Sequence, residues 1–262
     1  MRLRWRPEQS VEPEWMDAPG HSPDVLADNL NDLRRCNRAL GGIRLTLRPL
    51  ARLASTLAPA EPLRVLDVAS GGADIPQAIV RWASGACRPL VMVASDVNPQ
   101  IVRLARDAAG AAPEGSGPLF AAADARRLPF VSGAFHVVTC SLALHHMLPD
   151  DALAMLQEMR RCATIGVVVN DIVRTWLGYA GAIRATRLGS RNALTRHDGP
   201  LSVLRAYTAA ELRDLARRAA LRPVRWDSFL YYRVAMTARP ARTEATGAAE
   251  VETGSWGRWT QK

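Results

Sequence analysis

The sequence predicts an α/β fold: a mostly parallel sheet with helices on both faces, preceded by a helical arm. Three observations carry that expectation. Apolar runs of strand length alternate with helical periodicity from residue 61 to about residue 170. The runs are apolar on consecutive residues, as in strands buried on both faces, and such alternation implies right-handed crossovers. Acids and small polar residues end the strands, at the edge where open α/β sheets bind ligands.

The elements follow in order. Residues 1–20 are rich in Pro, Glu and Arg and read as a flexible terminus. Residues 21–60 form the arm: helical spacing runs from Asp24 to Leu57 and is split in two at Gly41-Gly42. Residues 61–239 form the main domain. Leu63 to Val68 is a buried strand and Ile75 to Ala83 a helix. Leu90 to Ala94 is a strand, followed by a helix from Pro99 to Ala109 with proline in its first turn. A loop over 111–117 leads to short strands at Leu119–Ala122 and Phe135–Cys140. The helix Asp150 to Cys162 has acids first and arginines last, as the macrodipole favours. Ile165 to Val169 is the next strand. An arginine-rich helical insertion covers about 172–206, with a turn at Gly199-Pro200. Thr208 and Glu211 make a capping box for the helix Leu212 to Ala220. Two strands, antiparallel to each other, lie in "PVRWDSFLYYRVAMTAR". Residues 240–262 have no periodicity and read as a disordered tail.

The chain has 262 residues, 48% of them hydrophobic, enough for one large core. Its four cysteines, Cys36, Cys87, Cys140 and Cys162, show no zinc or disulfide spacing, which points to a reduced cytoplasmic setting. The net charge is +9, but Lys262 is the only lysine and no basic run is interleaved with aromatics. A nucleic-acid partner is therefore not expected. No window reaches the roughly 18 apolar residues of a membrane span, and no signal peptide is visible.

Four motifs stand at the carboxyl ends of strands. The first is "RVLDVASGGADIP": Asp67 ends the strand, Ala69, Ser70, Gly71, Gly72 and Ala73 bend the chain, and Asp74 opens the helix. The second is "VMVASDVNP", in which the strand ends in Ser95-Asp96, with Val97 next; a carboxylate there can accept from two ribose hydroxyls. The third is "AAADARRLPF", where Asp124 can accept from an exocyclic amine, with Ala125 beside it. The fourth is "VVTCSLALHHM", a strand opening into Ser141, Leu142, His145 and His146. A nicotinamide-dinucleotide site needs G-x-G-x-x-G and a phosphate-binding helix start. Residues 69–74 read A-S-G-G-A-D, and Asp74 would repel a pyrophosphate.

In this order the motifs resemble the class I methyltransferases that use S-adenosylmethionine, over about residues 61–170 and loosely to 238. The resemblance implies a Rossmann-like sheet of seven strands, mostly parallel, with an antiparallel last strand. It implies S-adenosylmethionine as cofactor, held by Asp67, Ala69, Ser70, Gly71, Gly72, Asp74, Asp96, Val97, Asp124, Ala125, Ser141 and Leu142. The family often has glycine at positions 69, 71 and 73; alanine stands here at 69 and 73. Carboxylates at this turn suit the sulfonium and ammonium of that cofactor. The arm "LRRCNRALGG" resembles helices that close over the cofactor in quinone and small-molecule methyltransferases, with Asn37 and Arg38 either near its carboxylate or facing water.

The acceptor expected is a small molecule. Methyl transfer needs alignment and, for a hydroxyl, removal of a proton. His145, His146 and His197 are the candidate bases, with one of the adjacent pair pointing inward and the other away; His136, inside a strand, reads as structural. Arg196, His197 and Asp198 read as a polar loop near the site. No metal-ligand set is apparent. The segment "LTRHDGPLSV…AYT" looks like a bacterial polyketide-type subgroup. The expectation is O-methylation of a phenolic or polyketide-type hydroxyl in secondary metabolism, by a monomer or homodimer. C-methylation of a quinone-like ring, or a non-catalytic protein that keeps the cofactor fold, are the alternatives.

Overall fold

The structure, a computed structural model, describes residues 7–110 and 117–241. Two helices come first, α1 (Pro23–Ala39) and α2 (Gly42–Ala54). Gly41 breaks them apart with φ +76, a left-handed value that glycine adopts without a Cβ penalty. The sheet then builds as β1 (Leu63–Val68), α3 (Asp74–Gly85), β2 (Leu90–Asp96), α4 (Pro99–Ala109), β3 (Leu119–Ala122), β4 (Phe135–Ser141), α5 (Pro149–Cys162) and β5 (Ala163–Ile172). The insertion forms α6 (Trp176–Gly189) and α7 (Ala193–Arg205). The chain then adds α8 (Ala209–Arg218), β6 (Leu221–Phe229) and β7 (Arg233–Pro240).

The seven strands lie in the order β3-β2-β1-β4-β5-β7-β6. The first five are parallel, and β7 runs antiparallel to both neighbours. Strand β1 is flanked by β2 and β4, so the chain order reverses beside it and opens a crevice at the carboxyl ends. The consecutive apolar residues of each strand divide between two faces. Leu66, Val68, Val138, Val167 and Val169 pack with α5 and α8 through Met155, Leu156, Met159, Leu212 and Leu215. Leu63, Val65, Val137 and Val168 pack with α2 and α3 through Leu50, Leu53, Ile75 and Ile79. Each such side chain contributes roughly 1.5–3 kcal/mol by leaving water. Among the described residues no helix is long and apolar enough to cross a membrane.

The capping box forms as expected, with the Thr208 side chain and Glu211 exchanging both bonds. Several expectations need correction. The arm is not uniform: α2 is a layer of the core, because its apolar stripe meets the sheet. Gly199-Pro200 is not a turn and 196–198 is not a loop; all five positions lie inside α7. The Asn192 side chain caps that helix, and a Cβ at Gly199 would stand 2.4 Å from Thr186 Cγ2, so glycine there lets α6 and α7 approach closely. Of the flexible terminus expected over 1–20, residues 1–6 lie outside the described residues, and 7–20 are tied down at several points while mostly exposed. Ser10 N–H donates to Leu204 O, and a 3-10 turn over Trp15–Asp17 sits on the Asp198 carboxylate. The last strand runs through Pro240, and Ala241 N–H still bonds to Ala220 O. The tail expected from there on lies, after residue 241, outside the described residues.

Candidate active site

The turn after β1 has an unusual backbone. Ala69, Gly71 and Ala73 all take left-handed conformations, with φ of 53, 51 and 55. Those are the positions at which the resembled family often carries glycine. An alanine there is strained by roughly 1–2 kcal/mol, which the surrounding bonds must hold. Ser70 N–H donates to Ser95 O at 2.8 Å, and Ser70 Oγ donates to Asp67 O at 2.9 Å. Gly71 N–H donates to Asp96 Oδ2 at 3.0 Å, and Asn98 N–H to Asp96 Oδ1 at 3.0 Å. Asp96 therefore ties the turn to the end of β2 and is itself aimed by two backbone donors. The motif predicted an acid at this place but not that bond.

Three acids converge on this turn, and burial pushes each carboxyl up. Asp67 is only 1% exposed and is raised to about 7, despite the bond its Oδ1 accepts from Thr139 Oγ1 at 2.5 Å. Asp74 and Asp96 are raised for the same reason, loss of water. Asp74 Oδ2 is buried without a hydrogen-bond partner. A cation beside this turn would relieve all three, and an anion would worsen them. The residues thus fit a ligand carrying ammonium and sulfonium groups. Helix α1 lies directly over the turn: Arg34 Nη2 reaches Gly72 O at 3.4 Å, and a Cβ at Gly72 would meet Leu30 Cβ at 3.4 Å.

The remaining cofactor candidates are placed unequally. Val97 is exposed and Ala125 is buried in the core. Asp124 stands at the exposed rim, where Arg126 holds both its oxygens and draws its carboxyl below the usual range. Ser141 ends β4 and Leu142 follows it, with φ 54 and its N–H on Asn170 O. Ser141 Oγ accepts from Arg233 Nη2 at 3.1 Å. Arg233, 1% exposed, also donates to Asn170 Oδ1 and Asn37 Oδ1, both at 2.8 Å. Asn170 in turn donates to Gly42 O and Thr46 Oγ1. Asn37 is thus bound into a buried network, while Arg38 is exposed on the same helix.

Beyond Leu142 the chain makes a short 3-10 turn, Leu144–His146. Neither histidine points away, contrary to the sequence expectation. His145 Nδ1 pairs with Asp171 Oδ1 at 2.7 Å, and its backbone N–H donates to Asp171 Oδ2. His146 Nδ1 pairs with Asp17 Oδ2 at 2.8 Å. The two rings lie 4.5 Å apart, and both Nε2 atoms face Glu14, each 3.6 Å from a carboxylate oxygen. Burial opposes charge on His146, but the Glu14 and Asp17 carboxylates outweigh it and push the imidazole up to about 9. Arg205 clamps the turn by donating to the carbonyl oxygens of both histidines. His136 is buried at the far end of β4, where its Nδ1 accepts from Arg64 N–H, as a structural residue would.

His197 is not brought to this pair. Its Nδ1 is held by Asp198 at 2.7 Å and its ring stacks on Trp15 at 3.7 Å, so it fastens the N-terminal segment. That segment supplies Glu14 and Asp17, which no reading of the motifs singled out. The compositional cue at 1–20 was for disorder, and the one hint was an acid on either side of Trp15-Met16.

The family described as "Methyltransferase domain" matches residues 65–166. A ubiquinone/menaquinone biosynthesis C-methyltransferase UbiE from Cupriavidus metallidurans is 28% identical over 158 residues, 60% of this chain and 59% of that protein. The chain thus spans less than two thirds of that relative's length. A SAM-dependent methyltransferase from Aquifex aeolicus has the same fold, with TM-score 0.56 and 15% identity over 84% of this chain and 98% of that one. So does the magnesium protoporphyrin IX methyltransferase of Synechocystis with bound SAH, with TM-score 0.53 and 17% identity over 86% and 90%. Residues 65–166 thus match a methyltransferase domain, and the chain shares the seven-stranded fold of these two methyltransferases.

Proposed function

We infer that this protein methylates a small molecule, and that the reaction is O-methylation of a phenolic or polyketide-type hydroxyl. The observation that carries the reading is the pair of acid-oriented histidines immediately after β4, on the same sheet edge as the acid-lined turn. When bound, S-adenosylmethionine supplies a methyl group on a sulfonium, which is transferred as the S–C electron pair returns to sulfur. Asp67, Asp74 and Asp96 hold the cationic ligand at the turn. A hydroxyl acceptor must shed its proton, and the His145–Asp171 and His146–Asp17 pairs stand where that proton is handled. Glu14, itself buried, lies against both histidines, of which His145 is buried and His146 partly exposed.

A second reading, C-methylation of a quinone-like ring, is favoured by one observation: the name of the Cupriavidus relative. The reading also includes a cytoplasmic monomer or homodimer without a nucleic-acid partner, working in secondary metabolism. Four free cysteines, and positive charge that is nearly all arginine, support the cellular part. Incubation with methyl-labelled S-adenosylmethionine and a panel of phenols, resorcinols and quinols, read by mass, tests both readings. Label on oxygen supports the first and label on ring carbon the second. Cofactor binding with no transfer to any acceptor would leave a non-catalytic binding protein.

A further inference from the structure

We propose that Glu14, His145 and His146 bind one divalent transition-metal ion of the zinc class. One ligand atom from each lies within 4.8 Å of the others. The arrangement is more specific than proximity. Each histidine has its Nδ1 fixed by a separate carboxylate, Asp171 for His145 and Asp17 for His146. Metal-binding imidazoles are oriented this way: one nitrogen held by an acid, the other presented to the ion. Both remaining nitrogens face the same third side chain.

The distances fit an ion better than a hydrogen bond. Nε2 of His145 is 3.6 Å from Glu14 Oε1, and Nε2 of His146 is 3.6 Å from Glu14 Oε2. An N–H···O bond closes to about 2.7–3.2 Å. Ligand atoms at about 2.0–2.2 Å from a tetrahedral ion stand about 3.3–3.6 Å from one another. Charge points the same way. Glu14 and Asp171 are buried carboxylates, and the exposed Asp17 adds a third at the edge of the cluster. Arg205 is the nearby cation, but it spends its donors on the backbone oxygens of the histidines and on Glu12 O, and stands 4.0 Å from Glu14 Oε1. Glu14 Oε1 does accept from Ser202 Oγ at 2.9 Å, which fixes the carboxylate in place. Two imidazoles, which give up any Nε2 proton to solvent as the ion binds, and one carboxylate suit a borderline metal such as zinc or cobalt better than magnesium or calcium.

Three protein ligands leave a coordination position open, as catalytic zinc sites do. Under the function proposed above, and resting on it, that position takes the acceptor oxygen. The ion then holds the oxygen as an anion and the proton passes to solvent water, so that the histidine pairs promote loss of the proton as ligands of the ion.

The test uses the full chain, stripped with a chelator and titrated with Co²⁺ alone, without cofactor or acceptor. The expected result is saturation at one ion per chain, with visible absorption bands of a four- or five-coordinate site, displaced by Zn²⁺. Glu14→Gln and His146→Gln, each checked for native circular dichroism, should lose the saturable site, and Asp171→Asn should weaken it about 10–100-fold. Absence of stoichiometric binding would overturn the proposal, as would binding unchanged in both ligand variants. Methyl transfer is read separately. Transfer that persists undiminished in metal-free protein refutes the ion's role and leaves the function; metal binding without transfer does the reverse.

Discussion

Replacing Asp67 with asparagine should change how the stability of the fold depends on pH. The carboxyl is buried beneath the turn, and burial, outweighing the side-chain bonds of Thr139 and Ser70, pushes it from 3.8 to about 7. Because the folded value lies above the unfolded one, the fold favours the protonated acid. Its stabilising contribution is complete below the unfolded value and is lost as pH rises through about 7. Between about pH 5 and about pH 8 that loss amounts to about 2.5 kcal/mol. In a domain of this size it corresponds to a Tm shift of roughly 5–10 °C. Asparagine is nearly isosteric, can still accept from Thr139, and cannot ionise. Urea unfolding followed by tryptophan fluorescence, on both proteins across this pH range, gives the difference between them; the other titrating groups cancel. The variant should gain on the wild type steadily as pH rises, by about 2.5 kcal/mol over the range. Parallel stability curves would refute the argument that Asp67 is held near neutrality by burial.

Two further changes test the packing around the site. Gly42→Ala would place a methyl 2.3 Å from Asn37 Oδ1 and 2.7 Å from the Arg233 guanidinium nitrogens. Breaking the bonds of a buried cation should cost roughly 3 kcal/mol in urea unfolding, whereas Gly181→Ala on α6, with open space around it, should be neutral or slightly stabilising. Asp198→Ala removes the acceptor for the Trp15 and Met16 N–H groups and the partner of His197. Cleavage within residues 7–20 under limited proteolysis should become much faster, and equal cleavage rates would show that the segment is held by other contacts.

The sheet was legible because a parallel strand covered on both faces leaves an uninterrupted apolar run. Leu63–Val68 and Phe135–Cys140 could be recognised without knowing their neighbours. The acids at strand ends were legible for the same reason, since the strand boundary places them on one edge. What could not be read depends on contacts across long stretches of chain. Pro200 looks like a helix breaker locally, but Asn192 caps α7 and the close approach of Thr186 requires the glycine before it. Residues 7–20 lack periodicity because backbone donors to Asp198 hold them, rather than a buried apolar stripe. Glu14 meets His145 and His146 only through that segment. The left-handed backbone at Ala69 and Ala73 was foreshadowed by the family's glycines, but its support from Asp96 was not.

Calorimetric titration of the wild type and Asp96→Ala with S-adenosylmethionine shows whether the acid-lined turn binds that cofactor. Asp96 accepts from Gly71 and Asn98 and thereby both shapes the turn and offers its carboxylate at the end of β2. The wild type should bind saturably at one to one and the variant at least about tenfold more weakly, the loss expected for charge-assisted bonds. Equal affinity of the two proteins, or no binding by the wild type, would contradict it.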